Sequence, residues 1–217
     1  MQRPKVIFLD AVNTLFGVKG SVGEVYAGMA KQFGVEVSAV ALEREFIKSF
    51  QAAPPPMFPG IELQNIQKSE FNWWHSVSLH TFAQVGVLHQ FSDFSAFFTQ
   101  LYTYFATAEP WFVYPDVYPV LKRWQQLEVE LGVLSNFDSR LYSVLEALDL
   151  SQFFTSITIS TEVGAAKPDP KIFEVALKKH NSSAQLALHI GDSWQEDYQG
   201  ANAAGLKAIW LQRKKQA

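Results

Sequence analysis

Apolar residues fall along the chain in short unbroken runs, separated by longer stretches where they recur every three or four positions. Five runs, KVIFLD, VELGVLS, SITIS, LALHIGD and KAIWLQ, have the length and composition of strands buried on both faces. Amphipathic patterns separate the last four. SRLYSVLEALDL sets Leu141, Val144, Leu145 and Leu148 on one stripe. PDPKIFEVALKKH offers Asp169 as an N-cap, Pro170 at the first helical position, and Lys178 and Lys179 in the last turn. QEDYQGANAAG predicts a shorter helix closed by Gly205. Strands alternating with helices imply crossover units and a parallel sheet.

The rhythm breaks between Phe16 and about Pro115, where four helix-like segments lie near 21–34, 38–52, 63–82 and 91–106. The stretch APPPMFPG at 53–60 divides the second from the third. No strand pattern in this region is strong enough to join the sheet. The expected architecture is an α/β protein: a Rossmann-like parallel sheet core, residues 1–16 plus 112–217, carrying an inserted all-helical cap over 17–111. No internal repeat is visible.

Composition narrows this picture by exclusion. The 217 residues are 48% hydrophobic with a formal charge of -3, which predicts a sizeable core. That charge argues against nucleic-acid binding by broad phosphate neutralisation. The absence of cysteine removes disulfides, thiolate metal sites and a cysteine nucleophile. MQRPKVIFLD is too short in apolar length for a secretory signal, and no stretch approaches the ~18 apolar residues of a membrane span. A cytoplasmic protein acting on a small molecule, without nucleic acid or membrane, is the expectation; oligomeric state is left open.

The 18 Phe and 6 Trp read first as core packing, and FNWWHSVSL and FSAFFTQLYTYF as helix-packing stripes. His75 and His80, five apart, do not share a helical face well enough to pair on a metal. Arg44 is a cap cation that nothing in the sequence aims.

In open parallel sheets the ligand crevice lies beyond the carboxyl ends of the strands. The first run ends at Asp10, the second at Ser135-Asn136, and the fourth at Gly191-Asp192-Ser193. Lys167 stands in the loop AAKPDP after the third. Two carboxylates, a hydroxyl–amide pair and an ammonium group would therefore converge on one edge.

Asp10 to Leu15, Ser135, Lys167-Pro168 and Gly191-Asp192 through Asp197 resemble the four ordered motifs of the haloacid dehalogenase-like (HAD) hydrolase superfamily. SNFDSRL, KPDPKIF and GDSWQEDYQGANAAG are further similar to its subgroup with a DAVGTL first motif, the haloacid dehalogenase-like hydrolase domain-containing protein 3 type. The resemblance implies Asp10 as a nucleophile forming an aspartyl intermediate, with Ser135 bonding a phosphoryl oxygen and Lys167 offsetting charge. It implies a Mg2+ ion near Asp10, Asp192 and the main-chain carbonyl of Val12, with Asp197 acting from behind. Thr14 and Asn136 would serve the substrate side by holding the loops, and the substrate would be a phosphorylated metabolite. Asn13 stands where the family prefers Gly, a mild departure because Asn tolerates positive φ.

Val12 is the larger departure. Family phosphatases carry there an acid that protonates the leaving group and then deprotonates the attacking water. Three readings stay open: a Mg2+-dependent phosphatase weakened on alkyl phosphates, a 2-haloacid dehalogenase-like hydrolase, or a retired enzyme acting as a binding protein.

Overall fold

The structure, a computed structural model, describes residues 3–213; the remaining positions of the expected core segments lie outside the described residues. VIFL forms β1 (Val6–Leu9), and all four side chains are buried because both faces of the strand are covered. Next come β2 (Phe16–Val18), four helices, α1 (Val22–Gln32), α2 (Ala39–Ala52), α3 (Leu63–Val85) and α4 (Phe94–Tyr104), and then β3 (Trp111–Val113). The second half continues with α5 (Val117–Gln126), β4 (Glu130–Ser135), α6 (Arg140–Ala147), β5 (Ser156–Ile159), α7 (Ser160–Val163) and α8 (Pro170–Lys179). It ends with β6 (Ala187–Gly191), a π-helical turn (Trp194–Gln199), α9 (Gly200–Ala203) and β7 (Lys207–Trp210).

All five apolar runs are strands of one parallel sheet, ordered β5-β4-β1-β6-β7. Alternation along β1 sends Val6 and Phe8 toward Ile172, Phe173 and Ala176 of α8. Ile7 and Leu9 face the other way, toward Leu121 of α5 and Leu141, Val144 and Leu145 of α6. The fifth run departs from expectation. β7 ends the sheet, so Ile209 and Trp210 remain 47% and 40% exposed instead of buried on both faces.

The inserted helices pack around their own aromatic core, in which Phe97 touches Phe33, Phe82, Phe91 and Phe94. Ser21, Ser38 and Asp93 cap α1, α2 and α4 by accepting backbone N–H groups, and Gly86 closes α3 at φ 84°. The region is not purely helical at its base. The chain leaves the core on β2 and returns on β3, and these pair antiparallel as a short ribbon, Val18 opposite Trp111. Three-residue strands are too short to show a period, and Gly17 interrupts the first.

At the amino-terminal edge of the sheet, Ser156 Oγ lies 2.6 Å from His180 Nε2, and His180 Nδ1 lies 2.6 Å from Glu130 Oε2. Lys5 Nζ donates to the His180 carbonyl at 2.9 Å and stands 4.0 Å from Glu130. Among the described residues, no helix is long and apolar enough to cross a membrane.

Candidate active site

Parallel register places the carboxyl ends of β1, β4 and β6 side by side, with Leu9 level with Val133 and Ile190. Asp10 follows Leu9, and its backbone N–H donates to the Ile190 carbonyl at 2.9 Å. The chain then wraps around the Ala11 carbonyl, which accepts from Thr14, Leu15 and Phe16, with Asn13 at φ 59°. The Val12 carbonyl takes no part in this turn's hydrogen bonds.

The Asp10 side chain is buried, and its Oδ1 accepts from Ser135 Oγ at 2.9 Å and Lys167 Nζ at 2.8 Å. Among the described residues nothing donates to its Oδ2. Lys167 reaches the site from the loop before α8, next to a cis Lys167–Pro168 bond. The loop is fixed by the Asn136 amide, which donates to the Lys167 carbonyl at 2.9 Å and accepts its N–H at 2.7 Å. Asn136 thus acts on backbone while also lining the cleft.

Lys167 Nζ also donates to Asp197 Oδ1 at 2.5 Å. Burial disfavours the ammonium, but Asp10 and Asp197 outweigh it and keep the lysine protonated. Asp197 comes from the π-helical turn, and His189 Nε2 contacts the same Oδ1 at 2.8 Å while the Ser193 N–H reaches Oδ2 at 2.9 Å. Gly191 permits this approach, since a Cβ there would collide with the Asp197 carboxylate. Burial opposes ionisation of Asp197, yet Lys167 and His189 hold its carboxyl well below the usual range. His189 is fully enclosed in β6, and burial pushes its imidazole below the ordinary value. A neutral ring beside an ionised Asp197 carries its proton on Nε2, and among the described residues Nδ1 has no partner.

Asp192 completes the cluster. Burial first, then the Asp10 and Asp197 charges, push its carboxyl up to about 6, against a hydrogen bond from Asn13. Single oxygens of Asp10, Asp192 and Asp197 lie within 4.8 Å of one another, with one ammonium to balance three carboxylates. An all-oxygen donor set with surplus negative charge fits a hard divalent cation.

Thr14 is not brought to the cleft. Among the described residues its buried hydroxyl has no partner, and the residue borders a separate cavity of about 180 Å3 under α5. The turn around Ala11 directs it to the far side of the strand end, so it supports the loop from behind.

Above Asp10, Ser135, Asn136 and Asp192 opens a cavity of about 1030 Å3, roofed by the inserted helices. Val12 lines it as well. The aromatic stripes divide: Phe97 packs inside the cap, whereas Trp74, Phe98 and Tyr102 face the cavity. His75 packs among Phe71, Phe94 and Phe98, His80 is exposed, and Arg44 pairs with Glu45 at the surface.

Several polar residues at this interface escaped the sequence reading. Asp138 takes both Arg140 Nε at 2.8 Å and an Nη at 2.7 Å, together with the Trp74 indole N–H at 2.6 Å. The guanidinium lies 3.9 Å from the Tyr102 ring centre and 5.1 Å from that of Trp74. Glu70 of α3 is buried against the core, accepting from the Ser139 N–H at 2.9 Å, the Ser139 hydroxyl and Thr161 Oγ1 at 2.6 Å. Burial raises the Glu70 carboxyl, and also that of Glu196 on the cavity wall near Asn136. Only His189 had a legible signal: a polar residue at the centre of an apolar run, two positions before Gly191.

A haloacid dehalogenase-like hydrolase family model matches residues 4–205. The Mus musculus "Haloacid dehalogenase-like hydrolase domain-containing protein 3" is 35% identical over 205 residues, 94% of this chain and 80% of that protein. The "Glyceraldehyde 3-phosphate phosphatase" of Methanopyrus kandleri is 35% identical over 114 residues, 52% of this chain and 48% of that one. Among solved structures, L-2-haloacid dehalogenase from Xanthobacter autotrophicus superposes with a TM-score of 0.71, covering 98% of this chain and 79% of that chain. At 15% identity this is a likeness of fold.

Proposed function

The chain belongs to the haloacid dehalogenase-like hydrolases, and from that premise we propose that it is a Mg2+-dependent phosphatase using Asp10 as nucleophile. Its best substrates have leaving groups that depart without a proton. The observation that carries this reading is the pairing of an acid-free Val12 with a retained carboxylate trio around Lys167.

In the first half-reaction an Asp10 oxygen forms a bond to phosphorus and the leaving oxygen departs with the electron pair of its P–O bond. In the second, water attacks the same phosphorus, the Asp10 carboxylate is released, and the water's proton ends on inorganic phosphate. Ser135 turns its hydroxyl from Asp10 to a phosphoryl oxygen, and Lys167 offsets charge on nucleophile and substrate. Asp197 and His189 hold Lys167 in place, and Asn136 holds its loop. Asp10, Asp192 and the Val12 carbonyl would hold the Mg2+, which when bound neutralises phosphoryl charge.

Val12 can neither protonate an alkoxide nor deprotonate water, help worth typically ~10²–10⁴ in rate. Alkyl phosphates therefore turn over slowly, and acyl or aryl phosphates are favoured. Similarity to a named phosphatase over half the chain supports the phosphoryl branch. Carbon–halogen cleavage would also tolerate Val12, but it leaves Asp192 without a purpose.

The test is a panel of acetyl phosphate, 4-nitrophenyl phosphate and 2-chloropropionate, with and without Mg2+, on wild type and Asp10→Asn. Mg2+-dependent phosphate release lost in Asp10→Asn is the expected result. Metal-independent halide release would select the dehalogenase reading, and no turnover of any member would leave a binding protein.

A further inference from the structure

The cavity of about 1030 Å3 reaches the upper end of the ~300–1,000 Å3 common for small-molecule pockets, so a phosphoryl group at Asp10 leaves most of it for something else. That remainder is the chamber under the inserted helices, with Phe46, Phe50, Trp74, Phe98, Tyr102 and Phe112 on its walls. Arg140 and Glu43 on its walls already have partners. Arg140 is closed bidentately on Asp138, and Glu43 accepts the Gly23 N–H at 2.6 Å. Lys19 is exposed at the mouth. Beyond Lys19 at the mouth, a second phosphate or a carboxylate deep in the chamber would find no unengaged cation among the described residues and would lose its hydration.

Val12 lines the same cavity as these rings. An aryl oxide leaves without protonation far more readily than an alkoxide, so the chamber's shape and the missing acid call for the same chemistry. Resting on the phosphatase reading above, we propose that the chamber binds the leaving group of an aryl phosphate monoester, an uncharged aromatic system larger than one ring. Ring stacking on the walls supplies the selectivity, and Phe50, itself 41% exposed, forms one replaceable side of the enclosure.

Calorimetry on Asp10→Asn reads the chamber independently of turnover, using 2-naphthyl, phenyl and 4-carboxyphenyl phosphate with Mg2+ present. The expected order is 2-naphthyl phosphate at least tenfold tighter than phenyl, and 4-carboxyphenyl at least tenfold weaker than phenyl. Adding Phe50→Ala reduces the naphthyl advantage to threefold or less. Equal affinities across the series, or an advantage untouched by Phe50→Ala, overturn the assignment. Acetyl phosphate turnover by wild type separates the two claims. Turnover with a flat binding series removes the aryl chamber alone, and a graded series without any turnover removes the phosphatase reading alone.

Discussion

The two edges of the sheet carry polar networks that look alike on paper. At the amino-terminal edge Ser156, His180 and Glu130 are joined by two 2.6 Å contacts in the order hydroxyl, imidazole, carboxylate, which is the arrangement of a hydrolytic triad. At the carboxyl edge Ser135, Asp10, Lys167, Asp197 and His189 form a chain of comparable contacts. The differences are space and charge. Neither cavity reaches Ser156, and Glu130 is matched by Lys5. Over Asp10 lies a large cavity, and three carboxylates face one ammonium. Hydrogen-bond geometry alone therefore does not mark a site; unbalanced charge beside enclosed space does.

The comparison breaks first at Asp10. Asp10→Asn should lower turnover on the order of 10⁴-fold or more, as removal of a nucleophile does elsewhere, while thermal unfolding shows the fold intact. Second in size is Lys167→Met, which leaves Asp10 and Asp197 without their buried counter-charge. Chemical denaturation should show a loss of about 3–5 kcal/mol, together with loss of activity. Third, Val12→Asp restores an acid to the cavity wall and should raise alkyl phosphate turnover within ~10²–10⁴-fold. Steady-state rates on a primary alkyl phosphate decide this, and no gain would mean that the chamber also excludes such substrates. The smallest effect belongs to the opposite edge. Ser156→Ala should cost about 1–2 kcal/mol in urea unfolding and leave phosphate release unchanged; a drop in turnover would erase the distinction between the two edges.

The core was legible because burial on both faces writes itself as unbroken apolar runs, and because polar residues at strand ends stand out against them. Asp10, Ser135 and Asp192 each sit at such a boundary, and Lys167 in the loop just before α8. What escaped was set by distance in the chain or by brevity. Trp74 and Asp138 are 64 positions apart, and no periodicity relates them. α5 buries only Val117 and Leu121 and holds Pro119 near its start, so its stripe is too thin to read. The π-helical turn was legible only as a helix, although it carries Asp197, whose carboxylate packs closely against Gly191. Thr14 was placed by its motif, and the tight turn around Ala11 sends it elsewhere.

The ribbon of β2 and β3 has a consequence for how this architecture can be altered. Val18 and Trp111 are paired neighbours, so the chain leaves the core and returns to it at adjacent points. Everything between them is a closed detour that could be shortened, lengthened or exchanged without rethreading the strands. The helices between them can then be replaced as a cassette while Asp10, Ser135 and Asp192 beneath keep their register.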